Sequence, residues 1–291
     1  MRWLPVLATS ALSFVAVTWH AASAHAQQES AAAAMQPPTD PVKPVEIVVP
    51  GTRPAEPKSP VWTQGRSFTS TRVWLLDPGE QEFEFWYSTR IAHNGVRGDN
   101  PQLWQIEYMK GVAPHVQLDV YFNYQHDETG FHIEGAQIEG RFSLAKHYGE
   151  IWGNPALYLE WHPQTRGPNR GEVRLLIGGQ IFSPNFHGAF NPFLEQNIDS
   201  GVDGKFSSDR EIGASAAFGY AFVPNRVSLG VEIKGAADQQ DEKSYKGVLK
   251  VGPSVWLNLF DSHFRITYAG LIGLTKRSDA FNPFIVFGYA P

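Results

Sequence analysis

Between residues 80 and 291 apolar and polar residues alternate with a period of two. The run from Val116 to Gln125 is nearly unbroken: Val116, Leu118, Val120, Phe122 and Tyr124 share one face. Gln117, Asp119, Tyr121, Asn123 and Gln125 share the other. A helix would scatter both sets around its circumference, so the run predicts a strand with one apolar and one polar side. The same alternation recurs around residues 82–87, 104–108, 137–144, 157–162, 172–177, 227–234, 250–258 and 264–268. Weaker strands are expected near 186–197, 210–222 and 281–290, for a total of about twelve.

Two architectures accept such strands. A soluble sandwich or barrel turns the apolar face inward, whereas a membrane barrel turns it to lipid and keeps the polar face for the lumen. Three features favour the membrane barrel. The polar faces mix Glu, Arg, Gln and Tyr, as a lumen lined by paired charges would. Aromatic residues such as Tyr87, Trp104, Tyr108, Phe122, Tyr124 and Trp161 recur near strand ends, where an interfacial girdle sits. Connections alternate in length. Short turns are expected at 111–114, 223–225 and 260–263, and longer polar loops at 93–101, 164–171, 198–210, 236–247 and 275–282. The 126–130 loop is shorter and the 146–155 connection longer than this rule requires. Residues 80–291 allow under 18 residues per strand with its connection, enough for spanning strands of about 9–11 residues. The expected fold class is all-β: a closed antiparallel transmembrane β-barrel of about twelve strands, preceded by a disordered tether.

The N-terminal part differs. Met1-Arg2, an uncharged apolar stretch over 4–19 and Ala24-His25-Ala26 fit a signal peptide over 1–26. Residues 27–60 hold eight prolines and few large apolar groups, too little to offset ordering entropy. Residues 27–79 are therefore expected to be a periplasmic tether and lead-in. Within them, residues 45–54 form a short β-prone patch that can add to a partner's sheet edge. The patch resembles the TonB box of TonB-dependent receptors. That resemblance implies contact with a TonB-like periplasmic protein through Glu46, Ile47, Val48 and Val49, although the chain is too short for such a receptor's plug and large barrel.

Composition alters this picture little. The 42% of hydrophobic residues would suit a soluble protein, but a barrel needs apolar side chains only at alternate strand positions. The absence of cysteine excludes disulfides, thiolate metal sites and a cysteine nucleophile. The net charge of −5 becomes −6 when Arg2 leaves with the signal, and no basic stripe suggests nucleic acid.

Several segments resemble a known family. Gln81-Glu82-Phe83-Glu84-Phe85, Gln102-Leu103-Trp104-Gln105-Ile106-Glu107-Tyr108, Ile138-Glu139-Gly140-Arg141-Phe142 and Asn154-Pro155-Ala156-Leu157-Tyr158-Leu159-Glu160-Trp161 are similar to Gram-negative outer-membrane barrels labelled transporters of the MetA-pathway of phenol degradation. The resemblance covers most of 80–291 and implies passage of small organic solutes across the outer membrane. Phe287 and Tyr289 have the spacing of a barrel's closing aromatic residues, but Ala290-Pro291 extend beyond them.

The candidate lumen residues are Glu82, Glu84, Glu107, Asp119, Glu139, Glu160, Glu172 and Glu232, with Arg141, Arg174, Lys234 and Arg265. Glu195, Glu211 and Lys250 extend the set. Acids outnumber bases about two to one. Two accounts follow: a constricted, mildly cation-favouring channel, or a lumen filled by charge pairs that hold the barrel's shape. The ten histidines include no set at ligand spacing. No metal or cofactor is expected. A membrane-embedded hydrolase would need a serine–histidine pair; Ser143 and His162 are the conceivable one, without a nucleophile motif. The reading is therefore of a non-enzymatic, porin-like barrel in the outer membrane. Its expected partners are outer-membrane lipid, the barrel-assembly machinery and a small-molecule solute. A non-conducting structural or receptor barrel is the alternative.

Overall fold

A computed structural model describes residues 59–93, 100–199, 209–240, 244–260 and 263–291. The signal peptide over 1–26, most of the tether and the 45–54 patch with Glu46, Ile47, Val48 and Val49 lie outside the described residues.

Twelve strands appear among the described residues: β1 Gln81–Thr89, β2 Gln102–Ala113, β3 Val116–Asp127, β4 Gly130–Ser143, β5 Ala156–His162 and β6 Arg170–Gln180. They continue as β7 Phe186–Asn197, β8 Arg210–Val223, β9 Val227–Gln240, β10 Ser244–Leu259, β11 Phe264–Gly273 and β12 Phe281–Tyr289. Each pairs antiparallel with its sequence neighbours, and β1 pairs β12, for example Phe85 with Phe287. Closure leaves no unpaired edge, the condition for β-structure in lipid.

Burial is inverted relative to a water-soluble barrel. Phe83, Phe85, Ile106, Leu118, Val120, Phe122, Ile138 and Val173 are exposed on the outside, while Glu82, Glu107, Gln117, Asp119 and Glu139 are almost fully buried. A surface of this kind is stable only against lipid. Aromatic pairs mark both ends of the wall. Tyr87 packs on Trp104 near one end, and Phe83 on Tyr108 and Phe264 on Tyr289 near the other.

The two ends differ in their connections. At one, the turn end, β2–β3 and β8–β9 are joined by tight turns in which His115 and Asn225 adopt positive φ. At the other, the loop end, lie the β1–β2, β5–β6, β7–β8 and β11–β12 connections. The polar loop expected over 236–247 is mostly strand: β9 and β10 pair as far as Gln240 with Ser244. The Ala236-Ala237-Asp238 stretch alternates too weakly in apolar size to be recognised, yet its backbone pairs in full.

The main departure concerns residues 59–79. The sequence assigns them to the periplasmic tether and lead-in. Instead they lie inside the barrel. The chain enters at the turn end, where Ser59 bonds Asp77, and carries one helical turn, α1 Val61–Gln64. It reaches the middle of the lumen at Thr69–Ser70 and returns to the turn end, where Gly79 bonds Gly111. Trp62, Phe68, Val73, Trp74 and Leu75 are buried against Ala156, Leu176, Ala189, Ala217 and Trp256. This internal apolar surface offsets the ordering entropy that proline-rich chain alone could not.

The wall is shaped for this plug. Several inward positions of β6 to β8 are small: Gly178, Ala189, Ser215, Ala217 and Gly219. A side-chain carbon added at Gly178 would lie 2.9 Å from Val73, and one at Gly219 would lie 3.2 Å from the Phe68 ring. Gly178-Gly179 sits in unbroken register with Ala189 and Gly188, so close packing rather than a bulge explains it.

Candidate functional site

The alternation of β1 to β4 sends Glu84, Glu107, Asp119, Tyr121, Glu139 and Arg141 into the turn-end half of the lumen, where each is buried. The wall alone would bring four carboxylates against one guanidinium. The plug supplies two more. Arg66 Nε lies 3.0 Å from Glu84 and its Nη2 lies 3.4 Å from Glu107. The Arg66 guanidinium also stacks 3.4 Å above the Trp86 ring, whose Nε1 donates to Glu84. Arg72 Nη2 lies 2.6 Å from Glu107 and 3.8 Å from Glu84. Arg141 bridges Asp119 at 2.7 Å and Glu139, which also accepts from the Tyr121 hydroxyl. Burying charge is tolerable only with such pairing.

The other plug contacts replace backbone partners. Asn191 accepts from Arg72 N at 2.7 Å and donates to Arg72 O at 2.9 Å, as a neighbouring strand would. Glu232 accepts from the backbone N–H groups of Thr69 and Ser70, at 2.7 and 2.8 Å, and from both hydroxyls. Gln117 accepts from Leu76 N, and Arg265 pairs with Glu82 beside Gly65. Trp62 stacks on His187 with ring centroids 3.9 Å apart.

Ten of the twelve charged residues selected from sequence are thus engaged with the plug or with one another: Glu82, Glu84, Glu107, Asp119, Glu139, Arg141, Glu232 and Arg265, and also Glu172 with Arg174, whose Nη1 donates to Ser70 O of the plug. Glu172 and Arg174, together with Glu160 and Lys234, line a cavity of about 440 Å³ at the loop end. Arg66, Thr69, Ser70 and Arg72 of the plug form its floor. Glu195, Glu211, Lys250 and Arg90 also line it.

Strand register shows a feature that alternation alone cannot. Asp119, Glu139, Glu160, Glu172, Glu195, Glu211 and Asp238 lie directly opposite one another, pair by pair, on the seven successive strands β3 to β9. The row starts in the filled half and climbs to the cavity.

Glu107, Asp119 and Glu139 converge closely enough to hold a metal ion. Arg72 and Arg141 stand against them instead, and the chemistry is that of an ion-pair network. Ser143 and His162 are not brought together. Ser143 pairs Ala156 at the turn end and contacts His115. His162 lies six residues further along β5, about 20 Å away, against Asn123.

No family model and no curated protein matches the chain. Solved structures do. An outer-membrane channel from Pseudomonas putida F1 superposes with a TM-score of 0.50 at 10% identity, over 75% of this chain and 98% of that one. The NanC porin matches with a TM-score of 0.50 at 10% identity, over 72% of this chain and 97% of its own. At such identity the likeness is one of fold, and that fold is the closed outer-membrane β-barrel.

Proposed function

We propose that the chain is a porin-like barrel for passive passage of small solutes across the outer membrane. The observation that carries this reading is the cavity of about 440 Å³, lined by charged and polar side chains inside a wall that is apolar outside. The loop end faces outward and the turn end faces the periplasm, the usual disposition of long loops and short turns. Glu160, Glu172, Arg174 and Lys234 line the solute's way in. The ion pairs of Arg66 and Arg72 set the constriction below it. The motif resemblance to phenol-pathway transporters favours small organic solutes, and Trp86, Tyr121 and Tyr158 contribute to the cavity lining. Phe287 and Tyr289, exposed on β12, fit recognition by the barrel-assembly machinery.

The plug favours a second reading, a non-conducting structural barrel. Planar-bilayer recordings separate the two. Refolded full-length protein should give small discrete openings, and deletion of residues 59–76 should enlarge them several-fold and raise cation selectivity, because the acids lose Arg66 and Arg72. Silence of the full-length protein with openings only in the deletion supports the structural barrel. Silence of both rejects passage.

The TonB-like contact through Glu46, Ile47, Val48 and Val49 is a separate part of the proposal. A purified TonB-type C-terminal domain should capture the full chain and lose it when residues 45–54 are deleted; equal capture rejects the contact.

A further inference from the structure

The loop-end cavity is not merely charged; its charge is divided between facing walls. Glu160, Glu172, Glu195 and Glu211 stand on the four adjacent strands β5 to β8. The basic side begins with Lys234 on β9, next to the Glu211 strand, continues with Lys250 on β10 and Arg277 in the β11–β12 connection, and reaches the far wall at Arg90 just beyond β1. In the closed strand order β1 lies six strands from β7 in both directions, so Arg90 and Glu195 belong to opposite sides of the barrel.

Local pairing touches both walls. Arg174 on the acidic side is bound to Glu172 at 2.6 Å. Arg170 also lies 2.9 Å from Glu195, and Asp238 continues the acid row onto β9. Asp279 on the basic side is bound to Lys250. Glu160 and Glu211 on one side, and Lys234, Arg277 and Arg90 on the other, stand outside these ion pairs and keep the division. It is also unfavourable for the sheet, because Glu160 opposes Glu172, Glu172 opposes Glu195, and Glu195 opposes Glu211. Like charges placed directly across a strand pair destabilise it. Closing the barrel does not require this row.

We propose that the cavity is a binding site for a small zwitterion, an ammonium carboxylate of amino-acid or dipeptide size. Its ammonium end would face the Glu195–Glu211 wall and its carboxylate the Arg90–Arg277 wall. The cavity volume suits such a ligand. An anion or a cation of the same length meets one favourable wall and one repulsive wall, and a neutral diol gains from neither. The inference deepens the passage reading, since the site would select which solute enters. Binding itself does not depend on conductance.

The test uses four five-carbon probes: δ-aminovalerate, glutarate, cadaverine and pentanediol. Each is titrated calorimetrically into the refolded full-length barrel in detergent. Saturable binding of δ-aminovalerate is expected, with the other three at least about tenfold weaker. The variant E195Q/E211Q should lose zwitterion affinity and gain glutarate binding. The variant R90Q/R277Q should lose it and gain cadaverine binding. Both variants should keep the heat-dependent gel shift of a folded barrel, which separates lost binding from lost folding. Absence of saturable δ-aminovalerate binding overturns the inference, as does equal binding of all four probes. So does a pair of folded variants that retain wild-type preference. A barrel that conducts but does not bind the zwitterion loses this site alone. One that binds but does not conduct loses only the passage reading.

Discussion

The same row of carboxylates has two different surroundings within one barrel. At its lower end Asp119 and Glu139 meet Arg141, with Arg72 nearby, and no space is left around them. At its upper end Glu195 and Glu211 border an open cavity. Alternation alone sends both ends inward. What separates them is the segment 59–79, which supplies opposite charge and apolar bulk to one half only. A polar lumen is therefore structural or solute-accessible according to whether the chain itself fills it, and a strand's own sequence does not say which.

Loss of a plug charge should cost the filled half more than any change at the cavity costs the open half. Arg72→Met leaves Glu107 buried with a weaker partner, and stranding a buried charge costs about 3–5 kcal/mol. Urea unfolding in detergent, followed by the gel shift, should show a loss of that size. Arg72→Met combined with Glu107→Leu should recover much of it, because an apolar pair avoids desolvating two charges. Additive losses would mean that the two residues do not act as a pair.

How much of this was legible in the sequence follows from the same contrast. Strands with large apolar outward residues, such as Leu118, Val120 and Phe122, stand out because their inward neighbours are strongly polar. β8 is faint because Gly213, Ser215, Ala217 and Gly219 face inward, and their small size becomes intelligible only once Phe68 is seen against Gly219. The plug had its own signal. Trp62, Phe68, Trp74 and the Val73-Trp74-Leu75-Leu76 run give residues 59–79 an apolar content that the proline-rich 27–58 lacks. Proline count and position before the first strand masked that difference. The acid row was hidden for another reason: each carboxylate is visible on its polar face, but which ones oppose each other depends on shear and on bulges such as that at Asn123–Tyr124.

A smaller effect tests the packing side of the comparison. Gly178→Val places atoms where Val73 and the Ala189 side chain already lie, 2.9 and 3.0 Å from the added carbon. Overpacking of this kind costs about 1–3 kcal/mol. The plug should absorb the strain by lifting, so tryptic cleavage after Arg72 should accelerate in the folded variant. Unchanged cleavage with unchanged stability would show that the plug is not pressed against β6.

The smallest effect is the most informative, because its sign should reverse. Glu211 lies between Glu195 on β7 and Asp238 on β9, a carboxylate on each side. Glu211→Gln removes repulsion worth about 0.2–1 kcal/mol per opposed pair, less whatever solvent in the cavity already screens. The variant should thus be slightly more stable than wild type in urea, whereas Glu107→Gln in the filled half should be markedly less stable. A carboxylate that weakens its own sheet serves something other than the sheet. If Glu211→Gln destabilises the barrel by more than about 1 kcal/mol, then Glu211 is a structural partner like those below it, and the distinction between the two halves of the lumen fails.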